Sequence, residues 1–124
     1  MKRLMYVELK SGYSNNGPAW IGMVEFSRTG RTAYFNDKAF KKAAGIGANF
    51  YDLETGDSYW ITGIKKDGFN RHWAGSGKVM IDKDAVDEYL DIVEWSSLRE
   101  SRFEVVTIKA TDISRFKELE NESK

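Results

Sequence analysis

Apolar and polar residues alternate along most of the first two thirds of the chain, and this two-residue period is typical of β-strands. In the segment 3–10, Met5, Val7 and Leu9 form the more apolar face, so we expect that face to point into the core. Strand-like runs then meet at SRTG, ETGD and KKDG, where a glycine can adopt the left-handed backbone of a tight turn. The pattern therefore predicts consecutive hairpins over residues 19–36, 49–64 and 60–73.

The segment DKAFKKAAGIGA, residues 37–48, departs from this alternation. Its start is typical of a short helix or helical turn with Asp37 as the capping residue, and Gly45 and Gly47 would end it. We therefore predict a helical turn between the first two hairpins.

The period changes in the last third of the chain. Val79 and Ile81 alternate as a short strand, and Asp82 or Asp84 can then cap a helix over residues 83–94. That helix carries an apolar stripe at helical spacing, which we assign to core packing, formed by Val86, Tyr89, Leu90 and Val93.

A strand over 102–110 and a second, weaker helix from Thr111 with a frayed polar tail complete the chain. Because the strand follows a linker, it could pair in its own sheet or add to the edge of a neighbouring copy, which makes a homodimer plausible.

These elements predict one α+β domain over residues 1–124. Residues 1–81 would form a bent antiparallel sheet or small β-barrel, built as a meander of tight hairpins, and residues 82–124 a helix, a strand and a helix. A length of 124 residues and an aromatic content of 14% are sufficient for a packed core without metals or disulfides.

Composition and motifs narrow the chemistry mainly by exclusion. The chain has no cysteine and one histidine, which excludes disulfides, thiolate zinc sites and a cysteine nucleophile. No G-x-S-x-G elbow occurs, and AGSGK lacks the spacing of a phosphate-binding loop. We therefore expect no catalytic residue, no metal and no cofactor. A small hydrolase stays open as an alternative, because a carboxylate pair is defined by distance in space, with Glu8, Glu25, Asp52 and Glu54 as candidates.

The N-terminal region does not read as a targeting segment. Glu8 and Lys10 interrupt the apolar run that a signal peptide would need after Lys2 and Arg3. No apolar stretch approaches the roughly 20 residues of a membrane helix. We expect a soluble, cytoplasmic protein without membrane contact.

The net charge is zero, but the charge is unevenly distributed. Residues 1–81 carry 12 Lys/Arg and 7 Asp/Glu, and residues 82–124 carry 7 and 12. Solvated faces of the predicted helices would explain the acidic part. Alternatively, the separation forms a dipole that orients a partner or stacks subunits head to tail.

The stretch KKDGFNRHWAGSGK, residues 65–78, combines cations with aromatic rings and is the candidate binding segment. Its candidate residues are Lys65, Lys66, Phe69, Arg71, His72, Trp73 and Lys78. Small barrels that bind nucleic acid use cations for phosphates and rings for bases. This hypothesis requires Lys65 and Lys66 to lie near Lys41, Lys42 and Arg71. Trp60 is predicted to belong to the core.

We accordingly predict a binding or protein-interaction module without catalytic activity, with a protein partner or self-association favoured. Nucleic-acid binding through residues 65–78 is the alternative.

Three stretches, YVELKSGYSNNGPAWIG, DLETGDSYWITGIKKDG and RHWAGSGKVMID, together resemble a group of short bacterial proteins of unknown function. The resemblance runs from residue 6 to near residue 90. It implies a bacterial origin, and it implies no activity for any residue.

Overall fold

The computed structural model of the protein describes residues 1–10, 17–45, 47–68 and 77–122. Within these residues eight strands form one sheet in the order β1-β6-β5-β4-β3-β2-β7-β8. The strands are β1 Lys2–Leu9, β2 Ala19–Phe26, β3 Thr32–Phe35, β4 Lys38–Gly45, β5 Ala48–Asp52, β6 Ser58–Gly63, β7 Val79–Asp82 and β8 Phe103–Val106. Two short helices, each preceded by a 3₁₀ turn, are α1 Val86–Val93 and α2 Lys117–Glu122.

The first six strands close into an antiparallel barrel. Closure occurs because β1 pairs with β2 along one edge and with β6 along the other. The predicted small barrel is therefore confirmed, and its hairpin turns lie where the sequence indicates, with φ of 75° at Gly30 and 79° at Gly56. The two further strands extend the sheet from β2 by parallel pairing, Ile21 beside Ile81 and Val79 beside Phe103.

The predicted helical turn over 37–48 is wrong, because this segment forms strand β4. Asn36 and Asp37 have φ values of 52° and 59°, and they connect the paired residues Phe35 and Lys38. Positive φ at both central residues defines the type I′ turn that joins antiparallel strands with their natural twist. The turn chemistry of Asn36 and Asp37 therefore determines a hairpin.

The barrel interior is filled by alternate residues of all six strands. Its buried residues are Val7, Val24, Ala33, Phe35, Phe40, Phe50, Tyr59 and Ile61. The predicted inner face of β1 is confirmed at Val7, whereas Met5 and Leu9 are half-buried against this cluster. Phe40 and Tyr59 lie with ring centroids 4.6 Å apart near its centre.

A second layer covers the outside of β1 and β2. Strands β7 and β8 and helix α1 bury residues on this side, including Leu4, Tyr6, Ile21, Ile81, Tyr89, Val93 and Phe103. Both faces of β1 are therefore buried, which a single apolar face would not predict. The helix over 83–94 is confirmed as the Lys83–Ala85 turn plus α1, and Asp82 caps its start by accepting a hydrogen bond from the Asp84 amide.

The C-terminal segment covers the outside of β3 and β4. Phe116 is fully buried against Tyr34 and Ala39. Asp112 caps the 3₁₀ turn that carries Phe116, and the Tyr34 hydroxyl donates to Glu120 in α2. The predicted strand over 102–110 is shorter, Phe103–Val106, and it pairs within its own sheet.

Candidate functional site

The strand directions bring four separate segments to one end of the barrel. Neighbouring strands run antiparallel, so the start of β1, the β2–β3 turn, the β4–β5 turn and the chain after β6 lie at the same end. These segments carry seven exposed cations, which we call the basic end: Lys2, Arg3, Arg28, Arg31, Lys42, Lys65 and Lys66. The same end carries two carboxylates in its described parts, Asp67 and Glu25, the latter paired with Lys2. The chain that carries Lys65 and Lys66 thus leaves the barrel at the end where β4 carries Lys42, whereas Arg71, which the nucleic-acid hypothesis also requires nearby, lies outside the described residues.

A rigid turn between β2 and β3 holds Arg28 and Arg31. The Gly30 amide donates to the Ser27 carbonyl at 2.9 Å, and the Thr32 amide donates to the Ser27 hydroxyl at 3.1 Å. The Arg31 carbonyl also accepts from the Lys42 amide at 2.8 Å, which places those two cations side by side on neighbouring strands.

Packing against the second layer positions Lys65 and Lys66. They lie in a turn closed by a 3.0 Å hydrogen bond from the Gly68 amide to the Lys65 carbonyl. Gly68 has a φ of 77°, and a Cβ atom there would lie 2.4 Å from the Trp95 ring. This close approach requires glycine, and it anchors the turn to Trp95.

The N-terminus is also fixed at the basic end. The Phe26 amide donates to the Met1 carbonyl at 2.8 Å. Lys2 lies 4.0 Å from Glu25, and both side chains are exposed, so this ion pair contributes little. Arg28, Arg31, Lys42 and Lys66 form no ion pair with any carboxylate that the structure describes.

The opposite end of the barrel, which we call the acidic end, contains carboxylates that have partners. Its carboxylates are Glu8, Asp37, Asp52, Glu54 and Asp57. Asp52 is 1% exposed, accepts hydrogen bonds from the Glu54 and Thr55 amides, and lies 3.4 Å from Lys38 Nζ. Arg115, from the C-terminal segment, contacts Asp37 and Glu54 at 3.5 and 3.4 Å.

Glu8 forms a polar cluster with Tyr6 and Lys10 on the outside of β1. It is 2% exposed, and the Tyr6 hydroxyl donates to its Oε1. Lys10 Nζ lies 2.8 Å from Oε2, a distance that makes an ion pair, although the contact lacks hydrogen-bond geometry. Glu8 is therefore neutralised within the fold.

Burial and nearby carboxylates together raise the pKa of three tyrosine hydroxyls. Burial, followed by the charges of Asp52 and Asp57, raises the pKa of Tyr59 to about 12. Burial and then the charge of Asp67 raise the pKa of Tyr89 to about 12. Burial and the hydrogen bond to Glu120 raise the pKa of Tyr34 well above its usual range.

Apart from Ala39, which packs against Phe116, the outward face of β4, β5 and β6 belongs to none of the three buried clusters. We call it the outer wall, and it consists of Lys41, Tyr51, Ser58, Trp60 and Thr62. Trp60 is 37% exposed. The prediction that it belongs to the core is wrong, because its neighbour Tyr59 points into the barrel instead.

The predicted site residues of the 65–78 segment fall into three groups according to where the structure places them. Lys65 and Lys66 are exposed at the basic end. Lys78 is also exposed, but it precedes β7, which starts beside the first residues of β2 at the acidic end. The remaining candidates, with the second arm of the 60–73 hairpin, lie outside the described residues: Phe69, Arg71, His72 and Trp73.

The carboxylate candidates for hydrolysis do not come together. Asp52 pairs with Phe40 and shares its inward face, whereas Glu8 lies on the outward face of β1. Glu25 lies near the basic end, beside Lys2. Among residues 1–10, 17–45, 47–68 and 77–122, no group of three His, Cys, Asp or Glu side chains could hold a metal ion.

A groove of about 360 Å³ beside α1 adds a further acidic surface. It is lined by Asp87, Leu90, Asp91, Glu94, Trp95 and Ser96. Trp95 joins this groove to the turn that carries Lys65 and Lys66, because Gly68 packs against its ring.

Comparisons with protein families, curated proteins and solved structures found no match to this chain. The resemblance to short bacterial proteins therefore stays a prediction. In the part of the chain that the structure describes, no helix is long and apolar enough to cross a membrane.

Sequence reasoning missed Arg28 and Arg31. They flank the glycine of a correctly predicted turn, but the turn shares an end with Lys42 and Lys66 only through the order of the strands. The order of the strands in the sheet cannot be inferred from the spacing of residues along the chain.

Proposed function

We propose that the protein is a binding module that holds a polyanion, nucleic acid in particular, on the basic end of its barrel. The observation that carries this proposal is the concentration of seven exposed cations against two carboxylates, Glu25 and Asp67, in the described parts of that end. A cytosolic location, expected from the sequence, would give access to such a ligand.

Four of these cations, Arg28, Arg31, Lys42 and Lys66, have no ion-pair partner among the residues that the structure describes, and this argues for a ligand. Like charges at close range repel one another, and at physiological ionic strength the screening length is about 8 Å. Cations on neighbouring strands, such as Arg31 and Lys42, therefore reduce stability unless an anion balances them. A nucleic-acid backbone supplies closely spaced phosphates, and their release of counterions drives binding.

The zero net charge is compatible with this proposal because the opposite charges lie elsewhere. The acidic end and the groove beside α1 carry the carboxylates. Such a distribution orients a polyanion towards one end of the molecule and disfavours other modes of contact.

The proposal is tested by fluorescence anisotropy with a labelled oligonucleotide at low salt. The fourfold variant Arg28→Glu, Arg31→Glu, Lys42→Glu and Lys66→Glu should bind roughly two orders of magnitude more weakly than the unaltered protein, because four phosphate contacts are lost.

A matched control has the same net charge. Lys78, Lys83, Lys109 and Lys117 are exposed cations away from the basic end, and their replacement by Glu should change the affinity by less than about threefold. Equal losses in both variants would reject the basic end as the site. Failure of the unaltered protein to bind at low salt would reject the proposed function.

Self-association is a second candidate, because the basic and acidic ends of two copies are complementary in charge. It predicts assemblies by sedimentation velocity that dissociate as salt is raised. A monomer at low salt and high protein concentration would exclude it.

A further inference from the structure

Trp60 differs from every other aromatic residue that the structure describes. It is the one ring among the exposed large hydrophobic side chains, which also include Met1, Met23 and Val105. Its strand neighbours Tyr59 and Ile61 are buried in the barrel interior. Exposure of a tryptophan on a strand that is fully paired in the barrel offers a flat apolar face to a ligand.

A second ring lies on the same face. Tyr51 of β5 pairs with Ser58 of β6, so it is diagonal to Trp60 on the outward side of the two strands. Diagonal neighbours of an antiparallel pair lie within reach of aromatic side chains. On the other edge of β5, Tyr51 pairs with Lys41. The outer wall therefore places two rings and a cation next to one another.

The side chain that could cover Trp60 is used elsewhere. Asn49 is next to Trp60 across the β5–β6 boundary, but its amide donates to the Ile61 carbonyl at 2.7 Å and accepts from the Ile61 amide at 2.8 Å. This pair of bonds holds the Asn49 amide against the β6 backbone.

The charge next to Trp60 on its other side is neutralised. Glu8 pairs with Trp60 in the β1–β6 register, and Lys10 and the Tyr6 hydroxyl satisfy this carboxylate. An anionic ligand on the Trp60 ring would therefore meet a balanced charge.

The outer wall extends from the acidic end, where Trp60 pairs with Glu8 and Tyr51 with Ser58, towards the basic end. β4 leads from Lys41 directly to Lys42, and the chain after β6 leads from Trp60 to Lys65 and Lys66. A strand whose phosphates lie on the basic end could therefore lay its next bases over the outer wall.

We propose that the outer wall makes the protein selective for single-stranded nucleic acid, with Trp60 and Tyr51 stacking on unpaired bases. This inference rests on the proposed function. Stacking on an aromatic ring requires an exposed base face, which a single strand offers and a duplex hides. The basic end attracts both forms through their phosphates, so the outer wall supplies the discrimination between them.

The test compares three probes by anisotropy at one salt concentration: a 15-nucleotide single strand, the corresponding duplex, and inorganic polyphosphate as a polyanion without bases. The single strand is used as oligo-dT and as oligo-rU, which separates DNA from RNA. We expect the unaltered protein to favour single strands of either sugar.

Trp60→Leu keeps apolar bulk and removes the ring. It should bind single strands about tenfold more weakly, with changes below about twofold for the duplex and for polyphosphate. Trp60→Phe should lose about threefold on single strands. Met23→Ala, at an apolar position with similar exposure of 39%, should behave like the unaltered protein.

The outcomes separate this inference from the proposed function. Unchanged or equally reduced binding of all three probes by Trp60→Leu would overturn the stacking role and leave the polyanion site in place. No binding of any probe by the unaltered protein would overturn both. If Trp60→Leu unfolds, Tyr51→Leu serves in its place, and undiminished single-strand binding by that variant overturns the inference.

Discussion

The charged side chains at the two ends of the barrel differ in their ion-pair partners. At the acidic end, buried Glu8 and Asp52 have Lys10 and Lys38 as partners, and Arg115 approaches Asp37 and Glu54. At the basic end, exposed cations lie beside one another, and the ion pair between Lys2 and Glu25 measures 4.0 Å.

We interpret this difference as a distinction between charges that stabilise the fold and charges that, in the proposed function, bind a ligand. A buried carboxylate must be paired, since an unpaired charge in the interior costs several kcal/mol. For Arg28, Arg31, Lys42 and Lys66, which have no carboxylate partner among the described residues, we propose an external partner of opposite charge. The four predictions below test that distinction.

The largest effect on stability is expected at Glu8. Glu8→Ala leaves Lys10 without its carboxylate and the Tyr6 hydroxyl without its acceptor, so it should lower the free energy of unfolding by about 3–5 kcal/mol. Chemical denaturation measures this change. The double variant Glu8→Leu with Lys10→Met replaces the pair by apolar groups and should lose much less. Equal losses in both variants would show that the ion pair is not the cause.

The next effect is a loss of stability at alkaline pH that involves Tyr59. Its folded pKa of about 12 lies above the ordinary value of 10.0, so the folded state retains a proton that the unfolded state releases. Stability is therefore complete below pH 10 and falls as the pH rises from 10 towards 12. Tyr34 and Tyr89 add to the fall.

Tyr59→Phe provides the control, because it cannot ionise. Denaturation midpoints measured between pH 9 and 12 should fall less steeply for this variant than for the unaltered protein. Parallel curves would contradict the assigned role of Tyr59.

A smaller change in the free energy of unfolding, opposite in sign to that of Glu8→Ala, is expected at the basic end. Replacing Arg28, Arg31 and Lys42 by Gln removes mutual repulsion, so the free energy of unfolding should stay constant or rise by up to about 1 kcal/mol at low salt. Denaturation at low and high salt measures it, and the gain should vanish at high salt. A marked destabilisation would mean that these cations support the fold.

The smallest effect is expected for Glu25→Gln. The exposed 4.0 Å pair with Lys2 contributes at most about 0.5 kcal/mol. Removal of this carboxylate from the border of the basic end should raise affinity for a polyanion by about twofold. A stability loss comparable with that of Glu8→Ala would erase the distinction between the two ends.

The sequence predicted the barrel because its signals are local. Gly30 and Gly56 mark turns, and alternation marks the strands between them. The helical turn at 37–48 was wrong because two non-glycine residues, Asn36 and Asp37, adopt positive φ, which composition alone does not indicate.

The candidate site was less predictable from the sequence because it depends on which strands pair in the sheet. Alternation along YWITG allows either Tyr59 or Trp60 to face inward, and pairing with β1 and β5 decides the choice. Lys65 and Lys66 were identified as candidates, but Arg28 and Arg31 join them only through strand order.

The central claim is that the basic end binds phosphates, and the salt dependence of binding to single-stranded oligonucleotide tests it most directly. For four to seven phosphate contacts, the logarithm of the association constant should fall against the logarithm of salt concentration with a slope between about −3 and −5. The fourfold basic-end variant should have a slope shallower by about 3, because four phosphate contacts are lost. A slope shallower than about −1 for the unaltered protein, or the same slope in both proteins, would contradict the claim.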